Sequence, residues 1–171
     1  MAPLELYLLR HATAVDVGAP RVSTDAQRYL SDEGVAEMKE AAKGIRKIEK
    51  QFALILTSPL PRASQTAHVA ARALDAEDAV EECDWLKPGA AFDEVAAEIN
   101  RRKPQGAVMI VGHNPDFEDI VAQALCPANR AAIEIKKGGL AILRFESKMA
   151  PGRGLLRALL TCKHLRLMGG K

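Results

Sequence analysis

The sequence predicts an α/β protein, a three-layer α/β/α sandwich around a mostly parallel sheet. Two observations carry this. Short apolar runs alternate with amphipathic segments of helical period, which implies right-handed crossovers and a sheet covered on both faces. No repeat of about 20–50 residues and no Pro/Ser/Gly-rich linker interrupts the alternation, so residues 1–171 are expected to form a single domain.

Leu4–Leu9 is apolar enough for a buried first strand and stops at Arg10-His11. After a loop with Gly18 and Pro20, Ser31 caps a helix whose acidic first turn, Asp32-Glu33, precedes an apolar face of Val35, Met38, Ala42 and Ile45. Phe52–Thr57 is a second buried strand, closed by the stiff turn Ser58-Pro59-Leu60-Pro61. Arg62 opens an alanine-rich helix to Leu74, and Ala79–Glu81 is a brief third strand. Phe92–Arg102 is a helix with Val95, Ala96 and Ile99 on one side. Ala107–Val111 is a fully apolar strand closing at Gly112-His113. Asn114 as N-cap and Pro115 as first helical residue then start a helix to about Leu125. Leu140–Phe145 and Leu155–Leu160 read as an antiparallel hairpin around Pro151 and Gly152, with a basic tail, Lys163–Arg166, after it.

Composition excludes several function classes. Twenty-four Lys and Arg against 22 Asp and Glu leave a net charge of +2, so no dedicated nucleic-acid partner is expected. Cys83, Cys126 and Cys162 are odd in number and lack metal-ligand spacing, as in a reducing cytoplasm. No apolar stretch approaches the roughly 18 residues of a membrane span. Met1–Pro3 leads into the first strand without the pattern of a signal peptide, so no membrane association is expected and the localisation is expected to be cytoplasmic. The pattern carries no oligomeric state.

Ligands of open α/β sheets bind beyond the carboxyl ends of the strands. Those ends carry Arg10-His11, then Ser58 to Arg62, then His113, so residues about a hundred positions apart converge on one edge. Guanidinium groups match phosphate oxygens, and the helix N-termini after Pro61 and Asn114 are expected to aim N–H groups at the same place. A cation at Arg62 opposes the helix dipole and so calls for an anion. A neutral imidazole among fixed cations keeps its lone pair and is a nucleophile, so the expected chemistry is phosphoryl transfer to histidine. Two histidines and arginines make a poor divalent-cation site, so no metal and no cofactor are expected. His68 and His164 are assigned structural or solvated roles, and Trp85 and Phe92 core or cleft-wall roles. Ser58 lacks a Gly-x-Ser-x-Gly elbow and is not expected to be a nucleophile.

Three segments carry a family resemblance: Leu6 to Ala12 with Arg10-His11, Ser58 to Ala67 with Ser58, Arg62, Ala63 and Thr66, and Val111-Gly112-His113. In this order the chain resembles the histidine phosphatase superfamily, which includes phosphoglycerate mutases and acid phosphatases. Arg28 to Gly34 is further similar to a segment of the short SixA-type phosphohistidine phosphatases. The resemblance implies a phosphoglycerate mutase-like mixed sheet. It implies that His11 is the phosphorylated nucleophile, that Arg10, Arg62 and His113 hold the phosphoryl oxygens, and that Arg28 assists from the loop side. Ala12 stands where the family has glycine, and Ala14 to Val17 replace the polar residues of sugar-phosphate enzymes. A general acid after the third strand would be Glu82 or Asp84. The absence of lid insertions suggests an open cleft able to admit a phosphohistidine carried on a protein. The expected activity is hydrolysis of phosphohistidine on signalling or phosphorelay proteins. The alternatives are a phosphomonoesterase acting on sugar or nucleotide phosphates and a non-catalytic phosphate-binding module.

Overall fold

The structure, a computed structural model, describes residues 3–128 and 131–170; Met1 and Ala2, part of the segment read as lacking a leader, lie outside them. Six strands form one sheet: β1 (Leu4–Arg10), β2 (Phe52–Thr57), β3 (Val80–Glu82), β4 (Ala107–Gly112), β5 (Leu140–Phe145) and β6 (Leu155–Leu160). Their order is β3-β2-β4-β1-β5-β6. The first four run parallel, whereas β5 is antiparallel to β1 and β6 to β5. Five helices accompany them: α1 (Asp32–Ile48), α2 (Pro61–Leu74), α3 (Phe92–Arg102), α4 (Asp116–Leu125) and α5 (Cys162–Gly169).

The period-two alternation of the strands divides the core between two faces. Leu6, Leu8, Leu56, Val108, Ile110 and Leu143 pack with Phe92, Val95 and Ile99 of α3 and Phe117 and Ile120 of α4. Tyr7, Leu9, Ile55, Met109, Val111 and Ile142 face the other way, onto α1, α2 and Leu165 of α5. Alanines 63, 67, 70 and 71 are fully buried on α2, so small side chains let that helix lie close to the sheet. No helix among the described residues is long and apolar enough to cross a membrane.

Two local expectations need correction. Helix α4 starts at Asp116 with Pro115 as the N-cap, so Asn114 caps nothing. Its amide is taken elsewhere, donating to Glu118 Oε1 at 2.6 Å and to the Ile135 carbonyl at 2.9 Å. The basic tail is likewise no tail but most of α5. Thr161 accepts the His164 N–H at 3.2 Å, and the His164 ring bonds back to the Thr161 N–H, giving a reciprocal cap on a short helix. Arg166 pairs with Glu37 of α1 at 2.7 Å.

Gly44 fixes how closely α5 approaches α1, because a Cβ at this position would overlap the carbonyl of Leu165. Gly44→Ala is therefore expected to cost about 1–3 kcal/mol through overpacking against backbone that cannot rotate away. At this chain length each kcal/mol lowers Tm by roughly 2–4 °C. Calorimetry checks this, and an unchanged Tm would show that α5 moves freely.

Candidate active site

Strands β1, β4 and β2 lie side by side and parallel, so their carboxyl ends coincide. Arg10 pairs with Gly112 and Thr57 with Val111. The ladder extends one residue past each strand, His11 N donating to Gly112 O and Ser58 N to Val111 O, both at 3.0 Å. Backbone pairing thus holds His11, Ser58 and His113 before any side chain is considered. The glycine before His113 is required by packing, because a Cβ at Gly112 would lie 2.7 Å from the Phe117 ring. Gly138, in the left-handed region at φ +67°, donates its N–H to the carbonyls of Arg10 and His11 at 3.2 and 3.1 Å, closing the end of β1.

His11 is buried, and its Nδ1 lies 2.8 Å from the Ala12 carbonyl. A carbonyl only accepts, so Nδ1 carries the proton and Nε2 keeps a lone pair. Burial, reinforced by the charges of Arg62, Arg10 and Arg28, lowers the His11 pKa to about 4, against the opposing effect of the Ala12 bond. The imidazole is neutral at physiological pH chiefly because it is desolvated, with the arginines second. The His113 ring lies 5.4 Å from the His11 ring, centroid to centroid, and burial first, then Arg62, lowers its pKa to about 3.

Three guanidinium groups belong to this end of the sheet. Arg10 donates from Nη1 to the Ile135 carbonyl at 2.8 Å, and its buried Nε has no partner among the described residues. Arg62, in the first turn of α2, is buried and donates to the carbonyl and the Oδ2 of Asp25 at 2.7 and 2.9 Å. Arg28 donates from Nε to the Val15 carbonyl at 2.7 Å and from Nη1 to Asp25 Oδ1 at 3.1 Å. The anion that Arg62 calls for is thus supplied from within the chain. Asp25 bridges two arginines, and its hydrogen bond from Arg28 holds its carboxyl below the ordinary range. Thr66 ties the loop after β1 to α2: its hydroxyl accepts from Ala12 N at 3.1 Å and donates to the Arg62 carbonyl at 2.7 Å.

The structure brings Arg10, His11, Arg28, Arg62 and His113 to one edge. The two acid candidates have their hydrogen bonds elsewhere. Glu82 is exposed and accepts from Ser64 Oγ at 2.7 Å, and Asp84 is exposed and pairs with Lys87 at 2.8 Å. Neither is bonded to the histidines or to the three arginines. His68 is exposed and bonds to the Ser64 carbonyl at 2.8 Å, while His164 caps α5. Phe92 belongs to the core on the α3 and α4 face of the sheet, and Trp85, half-buried, packs against it. Sequence reasoning missed Asp25, whose signal was an acid three residues before Arg28. It also missed the chain from Glu118 through Asn114 to the Ile135 carbonyl that seats Arg10. Among the described residues, no group of three or more His, Cys, Asp or Glu side chains is placed to hold a metal ion. The donors beside His11 are cationic, a set suited to an oxyanion.

Comparison with known proteins agrees with this arrangement. Residues 6–87 match the family model of the histidine phosphatase superfamily (branch 1). An uncharacterized protein of Picosynechococcus is 29% identical over 143 residues, 82% of this chain and 85% of that protein. The crystal structure of a putative phosphohistidine phosphatase SixA from Agrobacterium tumefaciens superposes with a TM-score of 0.74 at 26% identity, covering 94% of this chain and 99% of that one. The histidine phosphatase SixA complexed with tungstate superposes with a TM-score of 0.79 at 21% identity, again over 94% and 99%. The phosphoglycerate mutase-like mixed sheet expected from the sequence is the observed one. A strand-end pair of neutral histidines set among arginines thus stands on a fold, and in a chain matched over residues 6–87, like those of the histidine phosphatase superfamily.

Proposed function

We propose that the protein is a phosphatase that uses His11 as nucleophile and acts on phosphohistidine carried by another protein. The observation that carries the reading is the unprotonated Nε2 of a neutral, buried His11 among Arg10, Arg28, Arg62 and His113. In this reading Nε2 attacks phosphorus in line with the departing group, and the P–N or P–O bond breaks as the N–P bond to His11 forms. Arg10, Arg62 and His113 hold the phosphoryl oxygens where charge develops, with Arg28 completing the loop side. Water then attacks the phosphorylated His11, releasing phosphate and restoring the lone pair. Arg62 and Arg28 each keep some of their donors on Asp25, so the phosphoryl group shares them with that carboxylate.

The pairing of Glu82 with Ser64 and of Asp84 with Lys87 supports a phosphoramidate over an ester. An alkoxide leaving group needs a proton, whereas the ring nitrogen of a departing histidine leaves as a neutral imidazole once protonated from solvent. With neither acid bonded to the histidines or the three arginines, the P–N bond is the easier one to break. The short similarity of Arg28 to Gly34 to SixA-type enzymes and the 26% identity to the putative SixA of Agrobacterium tumefaciens support the same substrate class.

The test is a substrate panel combined with an oxyanion titration. The expected result is a kcat/KM for a phosphohistidine-bearing protein domain at least about 100-fold above that for sugar and nucleotide monophosphates. Tungstate or vanadate should raise Tm, as any ligand of the folded state must. The opposite preference would make the protein a small-molecule phosphomonoesterase. No turnover of any substrate together with a raised Tm would make it a phosphate-binding module.

A further inference from the structure

Ser58 comes directly after β2 and is completely buried, and its hydroxyl lies 2.8 Å from His113 Nε2. The same oxygen accepts the Leu60 N–H at 3.3 Å. Two proton arrangements fit these distances. In the first, the Ser58 hydroxyl donates to Nε2 and the His113 proton sits on Nδ1. In the second, Nε2–H donates to Ser58, whose oxygen then receives two donors while its own proton, sealed from water, has no acceptor. His113 Nδ1 is buried and has no hydrogen-bond partner among the described residues. The second arrangement therefore strands both a hydroxyl proton and the Nδ1 lone pair, and the first strands only an Nδ1–H donor. Each buried polar group left without a partner costs stability, so the first, which strands fewer, is favoured. Doubly protonated imidazole is no alternative, since burial and Arg62 keep His113 neutral down to about pH 3.

We propose that Ser58 is a positioning residue that holds His113 in its Nδ1–H tautomer, which leaves Nδ1–H as the donor that His113 can offer a phosphoryl oxygen admitted beside it, while His11 offers a lone pair. The two imidazoles then carry opposite roles set by opposite devices. The Ala12 carbonyl takes the His11 Nδ1 proton and frees Nε2, whereas the Ser58 hydroxyl takes the His113 Nε2 lone pair and leaves Nδ1–H. A tautomer reversal at His113 would present a lone pair to phosphoryl oxygens and repel them. The turn itself keeps Ser58 in place, because its N–H is pinned to Val111 O and Pro59 and Pro61 stiffen the path into α2. The tautomer assignment rests on the hydrogen bonds and on burial, and its use in catalysis rests on the function proposed above.

Long-range proton–nitrogen correlation spectra of histidine-labelled protein at pH 7 test it, because the chain has only four histidines to assign. The wild type is expected to show His113 with a protonated Nδ1 and a bare Nε2. Ser58→Ala should move His113 toward the Nε2–H form and lower kcat by about 10- to 100-fold with KM little changed, the scale seen when partners that orient a functional histidine are removed. Ser58→Cys, a weak donor of similar shape, should fall between. A wild-type His113 protonated at Nε2 overturns the proposal even if the alanine variant does not fold. So does a Ser58→Ala protein that changes neither tautomer nor kcat, or one whose tautomer shifts without a loss of kcat. Failure of the phosphatase reading is separate and shows as absent turnover in the wild type. The spectra would still decide the tautomer in that case, although the catalytic use of His113 would fall with the activity.

Discussion

His11→Ala is expected to abolish hydrolysis of phosphohistidine and of a generic aryl phosphate, lowering kcat by at least about 10⁴-fold, while Tm stays close to that of the wild type. The fold should survive because the side chain of His11 bonds only to its neighbour Ala12, whereas its backbone N–H, kept by alanine, is what joins it to Gly112. No other side chain of the cluster can replace it. The arginines are cationic, and His113 has its Nε2 engaged by Ser58. The pH profile checks the same assignment. With its pKa near 4, His11 stays neutral across pH 5–8, so kcat/KM, corrected for substrate ionisation, should be flat there and fall only as pH drops toward 4. Stability has a definite sign as well. Between the unfolded value of about 6.5 and the folded value near 4, the unfolded chain binds a proton that the folded chain refuses. The contribution of His11 to stability is therefore complete above about pH 6.5 and is lost as pH falls through that window. His113 acts in the same direction over a slightly wider window. Denaturation at pH 7 and pH 5 should show a smaller difference for His11→Ala than for the wild type. A wild-type kcat/KM profile, so corrected, that falls with a pKa near 6.5 would refute the depressed value.

Removal of Arg62 is the second large effect. Arg62→Ala should reduce kcat by about 10²–10³-fold, the scale of losing one preorganised donor to a developing oxyanion, and should weaken vanadate binding. Arg62→Lys should recover little of this. The Arg62 side chain is only 6% exposed and places two nitrogens on the carbonyl and carboxylate of Asp25, a forked geometry that one ammonium cannot reproduce. Steady-state kinetics and oxyanion titration measure both variants. An Arg62→Ala enzyme within tenfold of wild type would remove Arg62 from the phosphoryl site. The same variant also bears on Asp25, which loses one partner and keeps Arg28, so the loop holding Arg28 should persist when Arg62 is gone.

Sequence alone determined the layers of this protein and the edge on which its chemistry sits. Runs such as Ala107–Val111 are buried on both faces, so they read as parallel strands, and every strand end became a place to look. Arg10, His11, Arg62 and His113 were legible for that reason: each lies just past a strand or opens the helix after one, and local position is written in the chain. Arg28 came from its resemblance to a family segment, since it lies in a loop with no period to read.

Tertiary structure decided what depends on contacts between distant segments. Asp25 looked like any loop carboxylate until the fold laid it across Arg28 and Arg62. Asn114 has the side chain of an N-cap, but Glu118 and Ile135 compete for its amide and win, which local propensity cannot foresee. The basic segment Lys163–Arg166 became a helix because Leu165 is buried against α1 and Gly44 leaves room for its backbone. Ser58 shows the division most sharply. Its place after β2 was plain from sequence, but its pairing with a histidine 55 residues away, and with it the predicted proton position on His113, exists only once β2 and β4 lie side by side.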